Sequence, residues 1–242
     1  MKKIFFSLAC LTLLSSFTVK FLSKPKVVVV WQPSHQTDTG KDFSEAAVCN
    51  GIVEAAIDAT PKLKEFKVWS LNQSNLHHAD VGSNTIIEHT SAVIDGKISG
   101  YAYELKQANK KKPHVFISVH NNGGTKRHAI WGFIHDGDQY EAENRALAAR
   151  LVAAISAVTD LENRGVQLDS STGRNDYTCK ATGKKAFYSL DEHVNTAKYR
   201  VLLEVGDNVV SKEFLENLAN QQKMGKAIKA ELAKWLAEKN LN

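Results

Sequence analysis

The chain has 242 residues with 43% hydrophobic content, enough to fill one large α/β core or two small ones. Its formal charge of +5 does not point to nucleic acid. Lys2, Lys3, Lys20, Lys24 and Lys26 precede every acidic residue, and beyond them 26 basic side chains face 26 acidic ones. No C-x-x-C pair occurs among the three cysteines, which argues against a zinc knuckle.

Residues 1–26 begin MKK, run through 16 mostly apolar residues and end in KFLSKPK. A charged start before an apolar run shorter than the roughly 20 residues that span a bilayer predicts a secretory signal. With no clear A-x-A cleavage site, an uncleaved N-terminal membrane anchor is the other reading. Both place residues 27–242 outside the cytoplasm, in the periplasm or cell envelope. The apolar stretch before Cys10, in SLAC, is too short for lipidation. In an oxidising compartment Cys49 and Cys179 could pair, which spacing alone does not establish.

The four valines from Val27 to Val30 have the pattern of a strand buried on both faces, expected over residues 26–31. This strand breaks at Pro33, reaches His35, and leads into a helix over 43–59 that carries Glu45. A second strand is expected over 66–71, followed by a polar segment, 72–100, with His77, His78 and His89. A helix over 101–112 ends in three lysines, a charge that suits a solvated helix C-terminus. The strand HVFISV then delivers His120, and NNGG turns the chain into a strand over 129–135. One-face apolar spacing at Leu147, Ala148, Leu151, Val152 and Ile155 predicts a helix over 138–158. Residues 165–195 read as loop around a short FYSL strand, and 199–206 as the last core strand, bearing Glu204. Helices over 212–218 and 221–239 close the chain. Strands alternating with helices predict a single α/β domain, a twisted, mostly parallel sheet with helices on both faces. Open sheets of this kind place ligands beyond the C-terminal ends of their strands, where His35, His120 and Glu204 fall.

His35, Glu45 and His120 have the donor types of a hydrolytic zinc site with one open position, and Glu204 could shuttle the proton. The spacing is a weak signal, since no H-E-x-x-H is present. Asp42-x-x-Glu45 also fits a capping box, the commoner pattern. His120 could bond a loop carbonyl, and His114, His128, His135 and His193 read as isolated surface or packing residues. His77, His78 and His89 form a rival cluster without a rigid scaffold. Glu204 has no easy structural explanation, because a carboxylate inside LLEVG is costly to bury unless paired or near a metal.

VVVVWQPSH followed by Glu45 resembles the opening strand, histidine and helix glutamate of the zinc-dependent N-acetylmuramoyl-L-alanine amidases. FISVHNN is similar to that family's second histidine motif, with Asn122 at its asparagine. NRGV at 163–166, then FYSL, then VLLEVGDNVVSKE resemble its closing region. The resemblance implies zinc held by His35, Glu45 and His120, Glu204 as the catalytic glutamate, and Asn122 and Arg164 as substrate-binding residues. It implies hydrolysis of the amide between muramic acid and the first L-alanine of the peptidoglycan stem. The chain departs from the family where Gln36, Thr37 and Asp38 replace the usual glycines, which makes Glu45 the ligand hardest to place, with Glu54 as its alternative. Segments 72–100 and 167–184 are longer than the family needs and are expected to border the cleft.

Two other functions suit the same residues: a zinc peptidase or amidohydrolase acting on another amide, and a wall-binding module without catalysis. The sequence leaves open whether an activator protein is needed and whether the leader tethers the chain to a membrane.

Overall fold

The computed structural model describes residues 27–36, 39–59, 63–68, 93–94, 97–98, 101–173 and 177–241. The valine run begins β1 (Val28–Pro33), buried throughout. Around it forms a six-stranded sheet with β2 (Lys64–Lys67), β5 (Val115–Asn122), β6 (Ala129–Ile134), β7 (Glu162–Leu168) and β8 (Tyr199–Asp207), in the order β2-β1-β5-β8-β6-β7. Neighbouring strands are parallel except that β6 runs antiparallel to β8. Two short strands, β3 (Val93–Ile94) and β4 (Lys97–Ile98), pair apart from this sheet.

Alternation along the buried strands sends Val29, Trp31, Ile117, Val119, Leu203 and Val205 to one face. There they meet α1 (Glu45–Ala59), α3 (Glu141–Val158) and α5 (Leu218–Glu238), with the short α4 (Lys212–Glu216) beside α5. On the other face Val28, Val30 and Phe116 pack against Leu105 and Ala108 of α2 (Tyr101–Lys110). The rest of that face, Ala129, Trp131, Phe133 and Leu202, is covered by Phe187 and Leu190. Helices therefore lie on both faces, but an irregular segment completes the second.

α5 lies close enough to α1 that a methyl group on Gly225 would stand 2.6 Å from the Ala55 Cβ and 2.7 Å from the Ala56 backbone nitrogen. Backbone cannot yield as a side-chain tip can. Gly225→Ala is expected to cost about 1–3 kcal/mol by forcing the helices apart. A urea titration checks this: the midpoint should fall with little change in slope.

Several expectations require correction. The Asp42-x-x-Glu45 capping box does not form: Asp42 has φ +53°, α1 starts at Glu45, and the Ser44 hydroxyl accepts the Ala47 N–H at 3.2 Å as the N-cap. The second strand spans Lys64–Lys67 among the described residues, starting two residues earlier than expected; positions 69–71 of the expected 66–71 lie outside the described residues. Residues 162–168, read partly as loop, form the edge strand β7; a register shift at the Arg164–Gly165 step, with Gly165 at φ +71°, hides its alternation. FYSL is not a strand but a turn, in which the Phe187 carbonyl accepts the Leu190 N–H at 2.9 Å. The helix expected from residue 138 starts at Glu141, because Asp138 is occupied by Arg200 and Asn144. The leader, His77, His78 and His89, and most of segment 72–100 lie outside the described residues.

Candidate active site

β1, β5 and β8 are parallel neighbours, so their C-terminal ends share one edge of the sheet. Pro33 ends β1, and the Ser34 N–H reaches the Val119 carbonyl at 2.8 Å, carrying the chain to His35. His35 is buried, with Nδ1 3.0 Å from Glu104 Oε1. Glu104, on α2, also accepts from the Gln32 side-chain amide, and Gln32 Oε1 accepts the Ser118 hydroxyl at 2.8 Å. This row of polar side chains fixes the His35 ring from below. Ligation by His35 would go through Nε2.

Glu45 opens α1, where the helix dipole favours a carboxylate. The Gln36 carbonyl accepts the Ala46 N–H at 2.7 Å, drawing this helix start against the loop after β1. Glu45 Oε1 stands 3.0 Å from His120 Nδ1. His120 is the register partner of Glu204 on β8, and Trp131 on β6 pairs with Glu204 from the other side. Glu45, His120 and Glu204 are all buried and line one cleft of about 850 Å³. Its wall is formed by Trp131, Phe133 and Phe187, the two phenylalanine rings meeting edge to face with centroids 5.4 Å apart. Gln36, Asn122, Gln167, Ser171 and Thr172 give it a polar rim.

Asp207 braces this rim. One carboxylate oxygen accepts Thr125 Oγ1 at 2.8 Å and the Lys126 N–H at 2.9 Å; the other accepts the N–H groups of Val209 and Val210. Burial works against its charge, but the N–H groups of Val210 and Val209, with Thr125 and Lys126, hold its pKa below the ordinary aspartate range. Burial, with the charge of Glu45, drives the Cys49 thiol well up, so Cys49 stays protonated behind the site. Both described cysteines are buried and free and sit in separate apolar clusters, so the considered Cys49–Cys179 pairing does not form.

The structure thus brings Glu45, His120, Asn122 and Glu204 to the cleft, with His35 buried at the adjoining strand end. Arg164 does not line it. This side chain lies on β7, level with Glu204 but two strands away, and donates to Glu162 Oε1 at 2.8 Å. Glu54, the alternative to Glu45, is excluded: it faces outward, bonded to Lys67 and Asn50. Sequence reasoning missed Glu104, for which a carboxylate at a buried position of an otherwise solvated helix was the available signal. It also misread His135 as isolated. His135 is buried against Asp169 and Asp191; burial lowers its pKa, but these carboxylates, Asp169 foremost, outweigh that and hold it at about 9.

Glu45 and His120, 3.0 Å apart with Glu204 alongside, have the donor types and spacing to suit a divalent metal, and His35 at the adjoining strand end is a further donor of the same type.

Residues 82–234 match the family model described as N-acetylmuramoyl-L-alanine amidase, a span that holds His120, Asn122, Arg164 and Glu204 but not His35 or Glu45. No curated protein matches the sequence significantly. Among solved structures, the chain is similar to the N-acetylmuramoyl-L-alanine amidase AmiC2 of Nostoc punctiforme, with 17% identity, coverage of 89% of this chain and 99% of that one, and a TM-score of 0.59. The catalytic domain of CwlV, an N-acetylmuramoyl-L-alanine amidase from Bacillus (Paenibacillus) polymyxa, gives 17%, 87%, 98% and 0.57 for the same measures. An N-acetylmuramoyl-L-alanine amidase from Clostridium difficile 630 gives 13%, 88%, 98% and 0.60. At these identities the likeness establishes the fold, and the family match, over more than half the chain, establishes the kinship. The chain belongs to the N-acetylmuramoyl-L-alanine amidases, a generally metal-dependent family of enzymes that hydrolyse peptidoglycan.

Proposed function

We propose that His35, Glu45 and His120 hold a zinc ion and that Glu204 is the proton shuttle for cleavage of the amide between muramic acid and L-alanine. The observation that carries this is the meeting of Glu45, His120 and Glu204 in one cleft, from a helix start and two paired strands far apart in sequence. A divalent ion bound there would lower the pKa of a water molecule and polarise the amide carbonyl. Glu204, level with His120, is positioned to take the proton from the attacking water and pass it to the departing alanine nitrogen. Glu104 keeps the His35 ring oriented. The aromatic wall and polar rim suit a substrate that joins a sugar-borne lactyl group to a peptide. Asn122 contacts this substrate at the rim, whereas Arg164 can touch only parts of the polymer that extend beyond the cleft. The working domain, 27–242, acts in the periplasm or cell envelope, delivered or tethered there by residues 1–26.

Purified protein incubated with peptidoglycan should release intact stem peptides with a free L-alanine amine, and a chelator should abolish the release. Mass spectrometry of the products decides. Fragments cut inside the stem would establish a peptidase instead. Sacculus binding without any product would point to a wall-binding module or to an enzyme awaiting its activator.

A further inference from the structure

On the far side of the aromatic wall, three ligand-type side chains meet that the amide chemistry does not use. His135, directly after β6, comes together with Cys179 and Asp191; each is at most 1% exposed, and one donor atom from each lies within 4.8 Å of the others. The His135 ring is set through Nδ1, 2.8 Å from Asp169 Oδ2. Asp169 is itself held by the N–H groups of Asp136 at 3.0 Å and Phe187 at 3.1 Å. A carboxylate behind the far ring nitrogen is how metal-bound histidines are fixed in tautomer and direction.

Nε2 is thereby aimed at the other two donors. It is buried, faces Cys179 and makes no hydrogen bond of ordinary geometry, and Asp191 Oδ1 stands 3.9 Å away, too far to bond but near the spacing a shared ion imposes. A bound ion takes the place of the Nε2 proton that Asp169 and Asp191 otherwise stabilise. Donors bound tetrahedrally at ~2.0–2.3 Å stand ~3.3–3.8 Å apart, so a small contraction would enclose an ion. Asp191 is also pre-set: Oδ2 accepts the Tyr177 hydroxyl at 2.6 Å, and Oδ1 accepts the His193 N–H at 2.8 Å. Cys179 is held in a tight turn, its N–H on the Lys184 carbonyl at 2.9 Å and its carbonyl accepting the Gly183 N–H at 2.8 Å.

The location supplies a reason for a metal. Residues 177–197 contain no helix or extended strand. Phe187 and Leu190 pack on the sheet and Arg200 holds the carbonyls of Leu190, Asn195 and Ala197, but the part around Tyr177, Cys179, Ala186 and Tyr188 has only that small apolar cluster of its own. Small units with little core commonly recruit a metal.

We propose that His135, Cys179 and Asp191 bind a structural divalent transition-metal ion, of the zinc class given a thiolate and an imidazole, that fastens the 177–197 segment to the end of β6. The site is separate from the one built on His120 and does not depend on that assignment.

The test uses the full chain carrying His120→Ala, stripped of metal and titrated with Co(II). A cysteine ligand produces a thiolate-to-cobalt charge-transfer band that a site of histidine and glutamate lacks. One cobalt per chain with this band is expected, lost on adding Cys179→Ala and kept on adding Cys49→Ala. Asp191→Asn, nearly isosteric, should weaken cobalt binding at least about tenfold and serves if Cys179→Ala does not fold. Absence of the band in the His120→Ala chain, or its survival in Cys179→Ala or its loss in Cys49→Ala, would overturn the proposal. If His120 proves not to be a ligand, the metal count of the parent variant changes while the band still reports on Cys179 alone.

Discussion

Glu204→Gln is expected to lower turnover on muramyl-peptide substrates by about 10²–10⁴-fold while leaving metal content and folding intact. The amide keeps the volume and most of the hydrogen-bonding capacity of the carboxylate within β8, so the strand and its pairing with His120 should survive. What it removes is a base. A glutamine cannot accept the proton of the attacking water or return it to the alanine nitrogen, and both transfers then fall to solvent. Glu204 is only 7% exposed, so solvent is a poor substitute at that position. His120→Ala should behave differently, losing metal along with activity, since on the proposed reading it removes a ligand rather than the shuttle. Steady-state rates paired with metal analysis separate the two. A Glu204→Gln enzyme within a few-fold of the parent rate would reassign the proton shuttle to another group.

The second large effect is structural. Arg200→Met should destabilise the protein by about 3–5 kcal/mol, the range for stripping one partner from a buried ion pair. Arg200 is 3% exposed on β8. Its guanidinium donates to the Leu190 carbonyl at 3.0 Å, to the carbonyls of Asn195 and Ala197, and to the Asp138 carboxylate. One side chain thus ties the segment that carries Phe187 to the sheet. Methionine fills the space but leaves a buried carboxylate and three carbonyls without their donor. Asp138 keeps the Asn144 amide at 2.8 Å and the Tyr140 N–H at 2.7 Å, which tempers the loss. Adding Asp138→Asn should recover part of it, because the stranded charge is then gone. Denaturant midpoints measure both. A cost below 1 kcal/mol would mean that the segment is held by other contacts. Since Phe187 walls the cleft, weaker substrate binding should accompany the loosened segment.

How much of this was legible in the sequence depended on whether the signal was local. β1, β5 and β8 announce themselves as continuous apolar runs because strands covered on both faces have no polar side. α3 does so through one-face spacing, and Glu204 stands out as a carboxylate within such a run. β7 did not, because the irregularity at Gly165 breaks its alternation and it lies at an exposed edge. The N-terminus of α1 was misplaced for a similar reason. Asp42 and Ser44 are both good caps by type, and only the left-handed backbone at Asp42 decides between them.

The sequence by itself determined the fold class, the order of the main elements and the short set of side chains able to do hydrolytic chemistry, because hydrophobic period and residue type are properties of neighbours along the chain. Only the tertiary structure decided that β8 lies beside β5, bringing Glu204 level with His120, and that β6 returns antiparallel to set Trp131 against them. It alone placed Glu104 on His35 and gathered His135, Cys179 and Asp191. These are contacts between residues tens of positions apart, fixed by which buried surfaces fit together, and no local pattern encodes that fit.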